Sequence, residues 1–149
     1  MTYKEFLETK IELATDSGFV IEPEKVNKAL KPHQRDAVMW ALKGGRRALF
    51  ESFGLGKTVQ EIEFCHLAAE ETGGRALIVL PLGVKQEFTR DAVDVLGYEK
   101  PEYCRTMEEV EQSTSQIVLT NYERVRDGDI RPDYFTATSL DEASVLRSF

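Results

Sequence analysis

The stretch from Arg47 to Glu70 constrains this chain more than any other. Arg47-Ala48-Leu49-Phe50 carries a short apolar run, and a turn containing Gly54 and Gly56 follows it. Val59, Ile62, Cys65 and Ala69 then recur at helical spacing. Strand, loop and helix thus come in the order that a phosphate-binding loop requires. Glycines without a Cβ let the backbone take positive φ and approach phosphate oxygens closely. Successive N–H groups then form an anion-binding concavity, to which the helix beginning near Lys57 adds free amides and the positive end of its dipole. In such a loop Lys57 reaches the β- and γ-phosphates and Thr58 ligates Mg²⁺ through its hydroxyl. The generic pattern wants a glycine five residues before Gly56, and this chain has Glu51 there.

The rest of the chain supplies a sheet for that loop. Arg75 to Pro81 and Gln116 to Thr120 are continuous apolar runs, as expected of strands buried on both faces. Phe135 to Leu140 reads as a further, less apolar strand. Between them, Val84, Phe88, Ala92 and Val95 have helical spacing, with Gly97 as the cap. Thr106-Met107-Glu108-Glu109 fits a capping box for a short helix. Asp127-Gly128-Asp129 signals a turn. Strands alternating with helices predict an α/β fold in three layers, a parallel sheet with helices on both faces. Ligands of such sheets bind beyond the carboxyl ends of the strands. The glycine loop and Asp141-Glu142 both occupy such ends.

Upstream, Tyr3 to Thr15 reads as a helix closed by Asp16-Ser17-Gly18, and Phe19-Val20-Ile21 as a short extended piece. Pro32 suits the first turn of a helix that buries Val38, Ala41 and Leu42 and ends at Gly44-Gly45. Trp40 reads as core or interface filler. The chain divides into an N-terminal helical extension, residues 1–29, and a nucleotide-binding lobe, residues 30–149.

Composition excludes several classes. An apolar fraction of 42% over 149 residues can build one core. No apolar run approaches the ~20 residues that span a membrane. The N-terminus lacks a signal peptide's basic and apolar regions, which predicts a cytoplasmic protein. Cys65 and Cys104 lack metal-ligand spacing and read as reduced thiols, and His33 and His66 form no metal pattern. The net charge of −7 is uneven: residues 31–58 hold 6 Lys/Arg against 2 Asp/Glu, while residues 59–149 hold 9 against 18. Contact with nucleic acid therefore needs a local surface, or sequence beyond this chain.

Paired acids after a strand are the expected partner of a phosphate loop. Asp141 would hold Mg²⁺, and Glu142 would orient and deprotonate the attacking water. The same pair could also simply open a helix, where acids are favoured.

Taken in order, these motifs resemble the start of a superfamily-two helicase of the Swi/Snf-like DNA translocase branch, with phage-encoded and restriction-associated members most similar. Leu30-Lys31-Pro32-His33-Gln34 resembles that family's glutamine motif, which implies that Gln34 reads the adenine edge. Glu51 to Thr58 matches its phosphate loop, in which an acidic residue commonly replaces the first glycine. The resemblance thus assigns ATP contact to Phe53, Gly54, Leu55, Gly56, Lys57 and Thr58, with Mg²⁺ on Thr58 and Asp141 and catalysis on Lys57 and Glu142. Pro81, Leu82 and Gly83 resemble one DNA-contact motif; Thr120, Tyr122 and Arg124, around Asn121, resemble another. Asp141-Glu142-Ala143-Ser144 resembles the acidic box, with Ser144 where many relatives carry histidine.

The resemblance implies a RecA-like lobe that is incomplete at its C-terminus. Relatives continue with another strand, which lies between the phosphate-loop and acidic-box strands, and with a second lobe that brings arginines to the γ-phosphate. Such arginines are worth about 10³–10⁵ in rate. The resemblance therefore implies weak ATP–Mg²⁺ binding and slow turnover by this chain alone, with double-stranded DNA and the second lobe, or another chain, as partners. Two alternatives stay open: an interaction module or inhibitor without turnover, and a phosphate-loop ATPase with no DNA substrate.

Overall fold

The computed structural model describes residues 18, 20–44 and 57–141. Among these residues, four strands form one parallel sheet: β1 (Ala76–Val79), β2 (Glu102–Tyr103), β3 (Ile117–Thr120) and β4 (Ala137–Leu140), in the order β2-β3-β1-β4. The helices are α1 (Pro32–Gly44), α2 (Lys57–Thr72), α3 (Lys85–Arg90), α4 (Met107–Gln112) and α5 (Tyr122–Arg126). This is the expected α/β class. All of β1 and β3 is buried, as strands covered on both faces must be.

Alternation along the strands sorts the core into two layers. Ala76, Ile78, Ile117 and Leu119 point toward α1, α2 and Phe88 of α3. Leu77, Val79 and Val118 point the other way, toward Val110, Tyr122, Ile130 and Phe135. The parallel register aligns Ile78 with Leu119 and Ser139, and Val79 with Thr120 and Leu140. It therefore carries the same two-sided pattern across to β4.

Local chemistry sets the helix ends. At the end of α2, Gly73 adopts φ 69°, and the Gly74 amide donates to the Ala69 carbonyl at 3.1 Å. This six-to-one bond is a Schellman closure, which needs the left-handed residue at Gly73. A Cβ on Gly74 would collide with the Thr136 methyl, so the chain can pass here only without a side chain. The capping motif at Thr106 forms, with its hydroxyl accepting from the Glu109 amide at 3.2 Å. The Glu109 carboxylate reaches back one residue further than usual, to the Arg105 amide at 2.9 Å.

Three expectations need correction. First, Val95 is 46% exposed, and Leu96, at 5%, takes the core position expected for it. Asp91 to Val95 forms a π-helical turn after α3. Its wider winding carries the buried series from Phe88 through Ala92 to Leu96, four residues apart, where an α-helix would drift toward Val95. Second, Trp40 is 41% exposed on α1, so of the two roles read for it, core filler is ruled out and interface filler stays open. Third, Glu102–Tyr103 is an edge strand that the sequence did not announce. Its two residues follow Pro101, whose missing N–H is tolerated at a sheet edge.

Residues 20–29, read as part of a separate extension, pack onto the lobe. Ile21, Val26 and Leu30 join the α1–α2 core. The Asn27 amide nitrogen donates to the Glu63 carboxylate at 2.7 Å, and its side chain donates to the Leu96 carbonyl at 2.8 Å. The expected helix at Tyr3–Thr15 and the expected strand at Ala48–Phe50 lie outside the described residues. Among the described residues, no helix is long and apolar enough to cross a membrane.

Candidate functional site

The site is built at the carboxyl edge of β4 and the N-terminus of α2. Asp141 directly follows β4, and its amide extends the sheet by donating to the Val79 carbonyl at 2.8 Å. Alternation then decides where its side chain goes. Leu140 packs into the layer opposite α2, so Asp141 turns to the α2 face. There it meets Lys57, the first residue of α2, with Nζ and Oδ1 3.0 Å apart. Their side chains are 17% and 5% exposed, so the pair is largely withdrawn from water. Thr58 follows on the first turn of the helix, half-buried.

A second contact holds Asp141 from the other side. The Tyr122 hydroxyl donates to the Asp141 carbonyl oxygen in a short hydrogen bond. Tyr122 opens α5 just after β3, so the loop behind β3 is tied to the end of β4 across β1. Only the tertiary structure brings them together, because they are 19 residues apart.

The other residues singled out in the sequence lie in several settings. Gln34 is buried in the first turn of α1, and its side-chain oxygen accepts from the Lys31 amide at 2.8 Å. Its amide N–H groups stay free of that cap. Pro81, Leu82 and Gly83 lie in the turn behind β1, where Leu82 is 56% exposed. Thr120 and Tyr122, expected to contact DNA, are instead interior: β3 ends inside the sheet, and the Tyr122 ring packs under Val79 and Val118. Arg124 is more exposed and pairs with Asp129 at 3.2 Å. Phe53, Gly54, Leu55, Gly56 and Glu142 lie outside the described residues.

Around α2 the structure adds a polar cluster that sequence reading missed. Glu63 is fully buried, yet it is served by the Asn27 amide and by a short hydrogen bond from the Tyr98 hydroxyl. Burial first, and the Glu63 carboxylate second, raise the Tyr98 phenol well above its ordinary value. His66 stacks on Tyr98 with centroids 3.9 Å apart, and its Nδ1 lies 3.0 Å from the Gln116 side-chain oxygen. No sequence signal separates Glu63 from the other acids of this helix, since its partners come from residues 27 and 98. Among the described residues, no group of His, Cys, Asp and Glu could by itself hold a metal. Cys65 and Cys104 are both free and buried, and burial raises both thiols.

Comparison with solved structures finds the same fold in a larger protein. The crystal structure of the UvsW helicase from bacteriophage T4 superposes with a TM-score of 0.63 at 20% sequence identity. The match covers 97% of this chain and 52% of that one, so the chain spans about half the length of its structural neighbour. The likeness is one of fold: a parallel sheet with flanking helices, as in a RecA-like helicase lobe. No protein-family model matches the chain, and no curated protein matches it.

Proposed function

We propose that this chain is the nucleotide-binding half of an ATP-dependent DNA helicase or translocase of the Swi/Snf-like branch. The observation that carries the reading is the apposition of Lys57 and Asp141 at 3.0 Å, beyond the carboxyl end of a parallel sheet and at a helix N-terminus. This is where the fold class puts phosphate and metal sites. The residue types also fit the ligand. A buried carboxylate needs a cation beside it, and a lysine on a flexible stem can be exchanged for Mg²⁺ when phosphates draw the ammonium away. The hydroxyl of Thr58, on the same helical turn, is the hard oxygen ligand such an ion takes.

In this reading Lys57 binds the β- and γ-phosphates, and Thr58 and Asp141 hold Mg²⁺. Gln34 reads the adenine edge through its free amide N–H groups. Glu142 activates water, and the loop at Phe53, Gly54, Leu55 and Gly56 wraps the phosphates. When bound, Mg²⁺ neutralises charge building on the transferring phosphoryl group. The chain's own part is positioning. Tyr122 fixes the backbone of Asp141, and the burial of the pair excludes water that would otherwise weaken each electrostatic contact. The Pro81-Leu82-Gly83 turn and Arg124 provide the lobe's share of a DNA track, on double-stranded DNA, with a second lobe supplying arginines for rapid turnover.

Titration calorimetry with a non-hydrolysable ATP analogue and Mg²⁺ tests this reading. Binding by the wild-type chain, and its loss in Lys57→Ala with the fold intact by circular dichroism, is expected. ATP turnover by the isolated chain should be slow and little changed by DNA. If nucleotide binding is absent, or survives Lys57→Ala unchanged, the reading is wrong, and a module that keeps the fold without the ATP cycle takes its place.

A further inference from the structure

Glu63 is fully buried on α2, less than two turns beyond Lys57. Along the helix axis that is about 9 Å. A carboxylate in such a setting must be hydrogen-bonded, so it and its donors hold each other in place. One donor is the Tyr98 hydroxyl, from the segment behind the π-helical turn. The other is the backbone N–H of Asn27, at 2.7 Å. The Asn27 side chain adds bonds of its own: its nitrogen donates to the Leu96 carbonyl at 2.8 Å, and its oxygen accepts from the Ala29 N–H at 2.9 Å. On either side Val26 and Leu30 are sunk in the core. Asn27 is thus pinned to the helix that carries Lys57, although it lies 36 positions from Glu63.

Asn27 leads directly to Gln34. Its side-chain oxygen turns the chain at Ala29, and the Leu30 N–H closes on the Asn27 carbonyl at 3.1 Å. Lys31 follows, where Pro32 disfavours helical backbone and then opens α1. The Lys31 N–H donates to the Gln34 side-chain oxygen at 2.8 Å. That bond decides which way round the Gln34 amide faces, with its oxygen toward Lys31 and its nitrogen away. The oxygen keeps a second lone pair. An amide fixed in this way matches adenine, whose N7 accepts and whose N6 amino group donates. It mismatches guanine, whose O6 and N7 both accept. We propose that Glu63 is a positioning residue for base selection. Through Asn27 it holds the Lys31 N–H where that group locks the Gln34 amide in its adenine-reading orientation, and it ties this reader to the helix of Lys57. The inference rests on the reading of Gln34 as the adenine contact in the proposed function.

Titration calorimetry on the full chain with Mg²⁺ tests it. The probes are a non-hydrolysable ATP analogue, its GTP counterpart, and inorganic tripolyphosphate, which has no base to read. The variants are Glu63→Ala, Glu63→Gln, Asn27→Ala and, as the reference for lost base reading, Gln34→Ala. Wild type should prefer the ATP analogue. Glu63→Ala and Asn27→Ala should each cut that preference about tenfold, within the worth of one bidentate base contact, and leave tripolyphosphate binding unchanged. Glu63→Gln should restore it, because its oxygen still accepts from Asn27 while its nitrogen donates to the Tyr98 hydroxyl. Should Glu63→Ala fail to fold, Asn27→Ala decides, since that side chain is only half-buried. An adenine preference unmoved in Asn27→Ala, or ATP analogue and tripolyphosphate weakened equally, makes the cluster structural only; the inference is then overturned while the nucleotide reading stands. A preference absent from wild type, or surviving Gln34→Ala, removes the base reader and the role of Glu63 with it, while Lys57 keeps the phosphates. If the wild-type chain binds none of the probes, the inference and the proposed function fail together.

Discussion

Lys57 Nζ and Asp141 Oδ1 lie 3.0 Å apart, joining the first residue of α2 to the residue that follows β4. Eighty-four positions of sequence separate them. With 5% exposure, the carboxylate depends on that ammonium for its place in the interior. Removing one partner of a buried pair costs about 3–5 kcal/mol, and the partial exposure of Lys57 argues for the lower end. Lys57→Ala should therefore lower the urea-unfolding free energy by about 3 kcal/mol. Lys57→Met with Asp141→Leu should recover most of that loss. A single variant as stable as wild type would mean the pair contributes nothing to the fold.

Tyr122→Phe tests the link from the β3 loop to the acidic turn. It removes the hydroxyl that serves the Asp141 carbonyl and leaves that acceptor buried. The expected cost is about 1–2 kcal/mol in stability. Under the proposed function it also weakens Mg²⁺-dependent binding of an ATP analogue more than Mg²⁺-free binding, because only the metal ligand is displaced. Equal weakening in both would place Tyr122 outside the metal site.

The π-helical turn makes a sharp distinction between neighbours. Leu96→Ala should destabilise by about 2–4 kcal/mol, since the side chain is 5% exposed in the main core. Val95→Ala, 46% exposed, should change stability by less than about 0.5 kcal/mol. Thermal unfolding of the two variants reads the difference directly, and a reversed order would restore the plain α-helical register.

Tyr98→Phe should cost about 1.5–3 kcal/mol, because it strips a buried carboxylate of one of its donors. In Glu63→Gln the acceptor is neutral and the same hydroxyl matters less. A double-mutant cycle over the two positions should therefore give a coupling above about 1 kcal/mol.

Burial is the main cause that pushes the Cys104 thiol from 9.0 up to about 11. A folded-state value above the unfolded one means that the folded state holds the proton more tightly. The stability this contributes is complete below about pH 9 and is lost as pH rises through about 11. Unfolding free energies should thus be level from pH 7 to 8.5 and fall toward pH 11, with a smaller fall in Cys104→Ala. Reaction with a disulfide reagent at pH 8 should be slow in the native protein and fast in urea.

The sequence by itself settled the elements whose signal is local. Two apolar runs long enough to be buried on both faces dictated β1 and β3, and the glycine at 97 and the Thr106 cap marked helix ends. Order along the chain then implied a parallel sheet with its ligands at the carboxyl ends. What escaped was whatever depends on partners far away in sequence. The two residues of β2 carry no strand signal, and it is the neighbouring β3 that makes them a strand. The π-helical turn exchanges Val95 for Leu96, because the core beneath selects the side chain and local periodicity cannot. The burial of Thr120 and Tyr122 was not legible locally, because neighbouring strands and the layer opposite α2 enclose them only in the folded sheet. Glu63 became a buried anchor through groups from residues 27 and 98. The Lys57–Asp141 pair belongs to both sides of this division. The residue types and strand ends suggested it, but only the α2 packing and the parity of β4 turned the carboxylate toward the ammonium.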